Sequence, residues 1–182
     1  MNCQTYQLDI ILRLAEEAGF KAAPLDASLL KPDPEVRKMC EENRCRKYGS
    51  SWSCPPAIGS LESAAEAISA YSSGILVQSI FRTDGDFDLD TISTGDTTHK
   101  TRFDQLVRQV RYYYPSCMPM ASGTCTRCAK CTYPDLPCRF PDRLFPSMEA
   151  YGLLINPICE KCGLKYNNGT GTMTFISCIL LF

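Results

Sequence analysis

Thr172-Met173-Thr174-Phe175-Ile176-Ser177-Cys178-Ile179-Leu180-Leu181 carries apolar residues at both alternating positions. A strand with one wet face would alternate, so this run reads as a strand interior to a sheet. Ile75 to Phe81, rich in branched and aromatic residues, reads as a second strand. Outward from these, Leu8, Ile11, Leu12 and Ala15 fall at helical spacing within Thr5 to Ala18, with Gly19 placed to stop the helix. Ser60 can cap a helix to about Tyr71, with Leu61, Ala64, Ala65 and Ile68 on its inner face. Phe103, Leu106, Val107 and Val110 define a third helix ending at Pro115, and Ser147 can begin a fourth through about Cys162, strained by Gly152 and Pro157.

The intervening stretches are of another kind. Pro24 to Pro34 reads as a connector, Glu35 to Glu42 as a short helical turn, and Cys40 to Pro56 as a cysteine-bearing loop. Thr83 to Thr98 reads as an acidic polar loop. Within it Asp84, Asp86, Asp88 and Asp90 alternate like calcium ligands, but Leu89 stands where the sharp turn needs Gly and Gly95 where the closing Glu belongs. Pro119 to Phe145 holds too much Cys, Pro and Gly for a long regular element, so something besides backbone hydrogen bonding must organise it. The expectation is one compact α/β or α+β domain over residues 1–182: a small mixed sheet flanked by helices, with cysteine loops on one side.

Composition narrows the chemistry. The chain has 182 residues, 45% hydrophobic and 21% charged, with 19 Lys and Arg against 20 Asp and Glu. That is globular composition with a net charge of −1, which gives no electrostatic reason to bind nucleic acid or an anionic membrane. The outlier is 12 cysteines beside a single His, so any metal would be held by sulfur. Asp9, Arg13, Glu16 and Glu17 interrupt the first apolar stretch, which does not suit a secretion signal. A cytoplasmic location with reduced thiols is therefore expected, where clustered cysteines mark metal or redox chemistry more often than disulfides.

Cys125-Thr126-Arg127-Cys128-Ala129-Lys130-Cys131, followed by Cys138, is the sharpest signal. Three thiolates at two-residue intervals can wrap three corners of a [4Fe-4S] cubane, as in bacterial ferredoxins, although Cys138 follows at a longer spacing than the ferredoxin run. Cys40, Cys45 and Cys54 form a second group, stiffened by Pro55-Pro56. Its fourth ligand is open among Cys117, Cys159, Cys162 and Cys178; without one, an iron would stay free to bind a small molecule. One or two [4Fe-4S] clusters are expected. Zinc is the alternative, with Cys125/Cys128 or Cys128/Cys131 pairing with Cys159/Cys162.

Elsewhere the bland readings lead. Cys3 and Cys117 read as ordinary residues, and Cys178 as either a buried thiol or a ligand. His99 reads as structural. Arg127, Lys130 and Arg139 could offset cluster charge or dock an acidic redox partner, or simply be solvated.

Cys45-Arg46-Lys47-Tyr48-Gly49-Ser50-Ser51-Trp52-Ser53-Cys54-Pro55-Pro56, the run from Cys125 through Cys131-Thr132-Tyr133-Pro134-Asp135 to Pro137-Cys138-Arg139-Phe140-Pro141, and Pro146-Ser147-Met148-Glu149-Ala150-Tyr151-Gly152 together resemble the predicted metal-binding proteins of domain of unknown function 2284. The resemblance spans roughly residues 5 to 182. It implies a cysteine-rich cytoplasmic protein of anaerobes that binds metal, without an established reaction. Cys162 is an addition to that pattern. Glu149 and Tyr151 are candidate acid/base or hydrogen-bonding groups beside the cluster region, or a helix cap with a packed ring. The function expected is electron transfer by a cluster protein. The rivals are a zinc-stabilised interaction module and a cluster enzyme with an open iron.

Overall fold

A computed structural model describes residues 3–85 and 88–182. Four strands, β1 (Lys21–Asp26), β2 (Ser73–Arg82), β3 (Met118–Met120) and β4 (Thr172–Leu180), form one sheet in the order β1-β2-β4-β3. Five helices accompany it: α1 (Cys3–Glu17), α2 (Pro34–Glu41), α3 (Leu61–Ser69), α4 (Leu89–Tyr113) and α5 (Ile155–Lys161). The architecture is the mixed α/β one read from the sequence. Every strand pairing is antiparallel, and the parallel contribution is an isolated bridge between Ala121 and Ser147. Among the described residues no helix is long and apolar enough to cross a membrane.

β4 lies inside the sheet, as its two apolar faces require, with Leu76 opposite Cys178 and Ile75 opposite Ile179. The alternation sends Ile75, Val77 and Ile179 to a core shared with Ile11 and Ala15 of α1 and with Phe103, Leu106, Val107 and Val110 of α4. Leu76, Ile176, Cys178 and Leu180 face the other way, onto Ile68 of α3, Met148, Leu153, and Ile158 and Cys159 of α5. The result is a sheet with a helical layer on each face.

Three stretches depart from the sequence reading. The first part of the Pro24 to Pro34 connector belongs to β1, where Pro24 is tolerated because β1 is an edge strand and its partner-free side needs no N–H. The acidic loop is instead the start of α4, although Asp86 and Phe87 lie outside the described residues. Asp88 caps it by accepting the Thr91 N–H at 3.0 Å, so one of the calcium-like aspartates serves the helix. Gly95 lets this polar turn lie on the sheet: a Cβ there would come within 2.9 Å of Phe81 and 3.0 Å of Phe175.

The helix expected from Ser147 to Cys162 is two pieces, a single turn at Glu149–Tyr151 and then α5. Gly152 separates them with φ +79°, and its carbonyl accepts the Asp33 N–H at 2.8 Å. A side chain at this position would also meet Leu61, at 2.6 Å.

Candidate metal centre

The sheet leaves two irregular stretches, residues 43–59 and 122–144, to pack against each other at one side. Their joints are side chains. Ser53 Oγ accepts the Cys125 N–H at 2.9 Å and lies 3.0 Å from Ser51 Oγ. Thr124 Oγ1 sits 3.1 Å from Cys54 Sγ, and the Thr124 carbonyl accepts from Lys100 of α4 at 2.7 Å. Trp52 donates its indole N–H to Leu136 O at 3.1 Å and stacks edge-on against Tyr133 at 4.9 Å. Arg139 and Thr132 close the second stretch on itself through the Lys130 and Pro137 carbonyls. These bonds answer the backbone accounting that the sequence left open.

This folding brings Cys125, Cys128, Cys131 and Cys138 to the wall of one cavity, with Ser51, Trp52 and Phe140 around them. The space is narrow, about 20 Å³, so an inorganic core would press the thiols outward as it filled it. The donor set suits sulfur ligation. Burial opposes the Cys131 thiolate, but N–H groups of Tyr133, Trp52 and Thr132 and the Ser51 hydroxyl outweigh it and hold the thiol below its ordinary range. The Phe140 N–H approaches Cys138 Sγ at 3.4 Å. Backbone donors aimed at cysteine sulfurs are a lever by which proteins tune iron–sulfur clusters. Among the described residues, no three His, Cys, Asp or Glu side chains are set to hold a single metal ion.

The family model described as predicted metal-binding protein, domain of unknown function 2284, matches residues 23–181. The chain belongs to this family. No curated protein and no solved structure matches it.

Of the second group, Cys54 is buried, Cys40 half-buried and Cys45 exposed. Burial raises the Cys40 thiol above its ordinary value, and the nearby Cys45, Cys54 and Glu149 add to that against the Arg37 charge. Cys40 Sγ lies 3.8 Å from the Glu149 carbonyl, and Arg37 ties α2 to the Gly59 and Ala150 carbonyls. Glu149 is the side chain that joins this group from another part of the chain. Burial holds its carboxyl above the usual range, against its own N–H, Ser147 and Lys100, and its Oε2 is buried without a hydrogen-bond partner among the described residues.

The candidates for a fourth ligand are dispersed. Cys178 is fully buried in β4, opposite Leu76 and Met120, and burial raises its pKa strongly. Cys159 is fully buried with Ile158 and Leu153, its thiol pushed up to about 11 by burial and then by Cys162. Cys117 packs against the α1–α4 core. Neither Cys159 nor Cys162 lines the four-cysteine cavity.

His99 sits inside α4 and is fully buried between Ser79 and Ser177, its ring nitrogens 2.9 and 2.8 Å from their hydroxyls. Burial, then Lys100 and Arg102, lower its pKa to about 3, so it is a neutral core residue. Arg127 is drawn inward to Asp104 at 2.8 Å, while Lys130 and Arg139 stay exposed. Sequence reasoning missed Lys100, Asp104 and Thr124, which no local pattern marks. Ser51 and Ser53 lay within the motif that the cysteines drew attention to.

Proposed function

We propose that the chain carries a [4Fe-4S] cluster on Cys125, Cys128, Cys131 and Cys138, with Cys40, Cys45 and Cys54 holding a second, and that it passes electrons to a redox partner protein. The observation that carries this reading is the convergence of four thiols on one cavity, one of them ringed by hydrogen-bond donors. Zinc needs its ligands on one point at about 2.3 Å, whereas a cubane spreads them over four metal corners. Three thiolates at two-residue intervals, with a fourth on the same cavity, suit the larger object.

A bound cluster would supply a one-electron couple at a potential set by its surroundings. The chain's own residues do the rest. The N–H groups at Trp52, Thr132 and Tyr133 stabilise negative charge on sulfur, and Trp52 with Phe140 limits water at the cavity wall. Exposed Lys130 and Arg139, beside exposed Leu136 and Phe140, offer an acidic partner a basic rim with apolar contact at the edge of the site.

Anaerobic purification followed by iron, sulfide and zinc analysis tests the reading. About eight iron and eight sulfide per chain support two cubanes, and about four support one. Zinc without sulfide overturns the cluster and leaves a zinc-stabilised module.

A further inference from the structure

The four-cysteine cavity has a larger neighbour. A cleft of about 240 Å³ opens between α4 and the chain following β3, and Cys125 lines both spaces. Its rim carries Arg108, Arg127 and Arg143 on the single carboxylate of Asp104, with Arg127 at 2.8 Å and Arg108 at 3.6 Å. Three guanidinium groups against one carboxylate leave a surplus of two positive charges (3 − 1 = 2). Lys100, also on the wall, is offset by Asp96 at 2.8 Å and adds nothing net. Arg127 Nε is buried and has no hydrogen-bond partner among the described residues. A buried guanidinium N–H without an acceptor is costly unless something brings one.

The floor has the opposite character. Phe145 and Ala121 each show a small apolar edge to the cleft, and Phe103, fully buried, meets Phe145 edge to face at 5.9 Å and backs it from beneath. A bare inorganic anion would serve the guanidinium groups and ignore this apolar surface. A neutral apolar molecule would cover the floor and leave the charge unanswered.

We propose that this cleft binds a small organic carboxylate with an apolar body, its carboxylate on Arg127 and Arg143 and its body against the edges of Phe145 and Ala121. Guanidinium groups offer carboxylates a planar, forked set of donors. The volume, a little below that of pockets for drug-sized ligands (about 300–1,000 Å³), limits the occupant to roughly the size of benzoate. Such a ligand would lie against the Cys125 wall of the metal site.

Calorimetric titration of the full-length, anaerobically purified protein with benzoate, benzamide and inorganic phosphate tests the proposal. Benzoate is expected to bind at least roughly tenfold more tightly than either of the others, since benzamide lacks the charge and phosphate the body. Arg127→Lys keeps a cation facing Asp104 but removes Nε, and should weaken benzoate about tenfold. Phe145→Leu, a change confined to the floor, should weaken benzoate several-fold and leave phosphate as it was.

Equal binding of benzamide, tighter binding of phosphate, benzoate affinity unaltered in both variants, or no binding of any of the three would overturn the proposal. Metal analysis on the same samples separates the two ideas. Zinc without sulfide alongside intact benzoate binding removes the cluster and keeps the cleft, and the converse removes the cleft alone.

Discussion

The sheet and the cysteine loops lie side by side and are held by different means. From Gly74 opposite Leu180 to Arg82 opposite Thr172, backbone answers backbone and buried side chains fill both faces. Between residues 43–59 and 122–144 the joints are Ser53, Thr124 and Trp52, each a side chain meeting a backbone group or a thiol. A single such bond contributes about 1 kcal/mol net, so a handful does not rival a packed core. The sheet is thus held by continuous pairing and packing on both faces, and the cysteine loops by a few side-chain bonds.

Replacing a ligand tries that contrast most severely. Cys128→Ser is expected to remove about four iron per chain. Amide exchange should then accelerate across residues 122–144 while β2 and β4 stay protected. Equal loss of protection in the strands would break the distinction. Next in size, Leu106→Ala, at a fully buried position of α4, should lower stability by about 2–5 kcal/mol in urea unfolding. Metal content under native conditions should not change, and if iron falls in parallel the two regions are one cooperative unit.

His99 sharpens the comparison through pH. Its folded pKa, about 3, is below the unfolded value near 6.5, so below pH 6.5 the unfolded chain binds the proton more readily. Stability from the neutral imidazole is therefore complete above that pH and declines as the pH falls toward 3, by about 2 kcal/mol at pH 5. Unfolding curves at pH 7 and pH 5, compared with His99→Gln, check this: the variant should lose the slope, and an unchanged slope would place its origin elsewhere. The smallest effect is expected of Trp52→Phe, which keeps a ring against Tyr133 but removes the 3.1 Å bond to Leu136 O. It should cost about 1 kcal/mol and raise exchange only near Leu136, with the sheet unaffected.

Legibility in the sequence divided along the same line. The runs at Ile75 and Thr172 revealed the two central strands because burial on both faces makes branched and aromatic residues outnumber the few polar positions, Gln78, Ser79 and Ser177 among them. The first turns of α4 were hidden because their neighbours are polar by design of the interior: His99 is answered by Ser79 and Ser177, and Gly95 gives up its side chain to Phe81 and Phe175. The spacing of Cys125, Cys128, Cys131 and Cys138 announced a shared site, since residues that close in the chain are close in space in any fold. Lys100, Asp104 and Glu149 come from distant stretches, and no local spacing could have joined them to it.

Residue order alone established that two apolar strands lie inside a sheet and that sulfur is the chain's chemical resource, because burial pattern and ligand type are read along the backbone. The packed molecule was needed to bring Lys100 of α4 to Thr124 and Asp104 to Arg127, and to enclose Glu149 beside Cys40. Those meetings depend on how helices and loops pack across the sheet, which is set by long-range burial and hydrogen bonding rather than by neighbours in the chain.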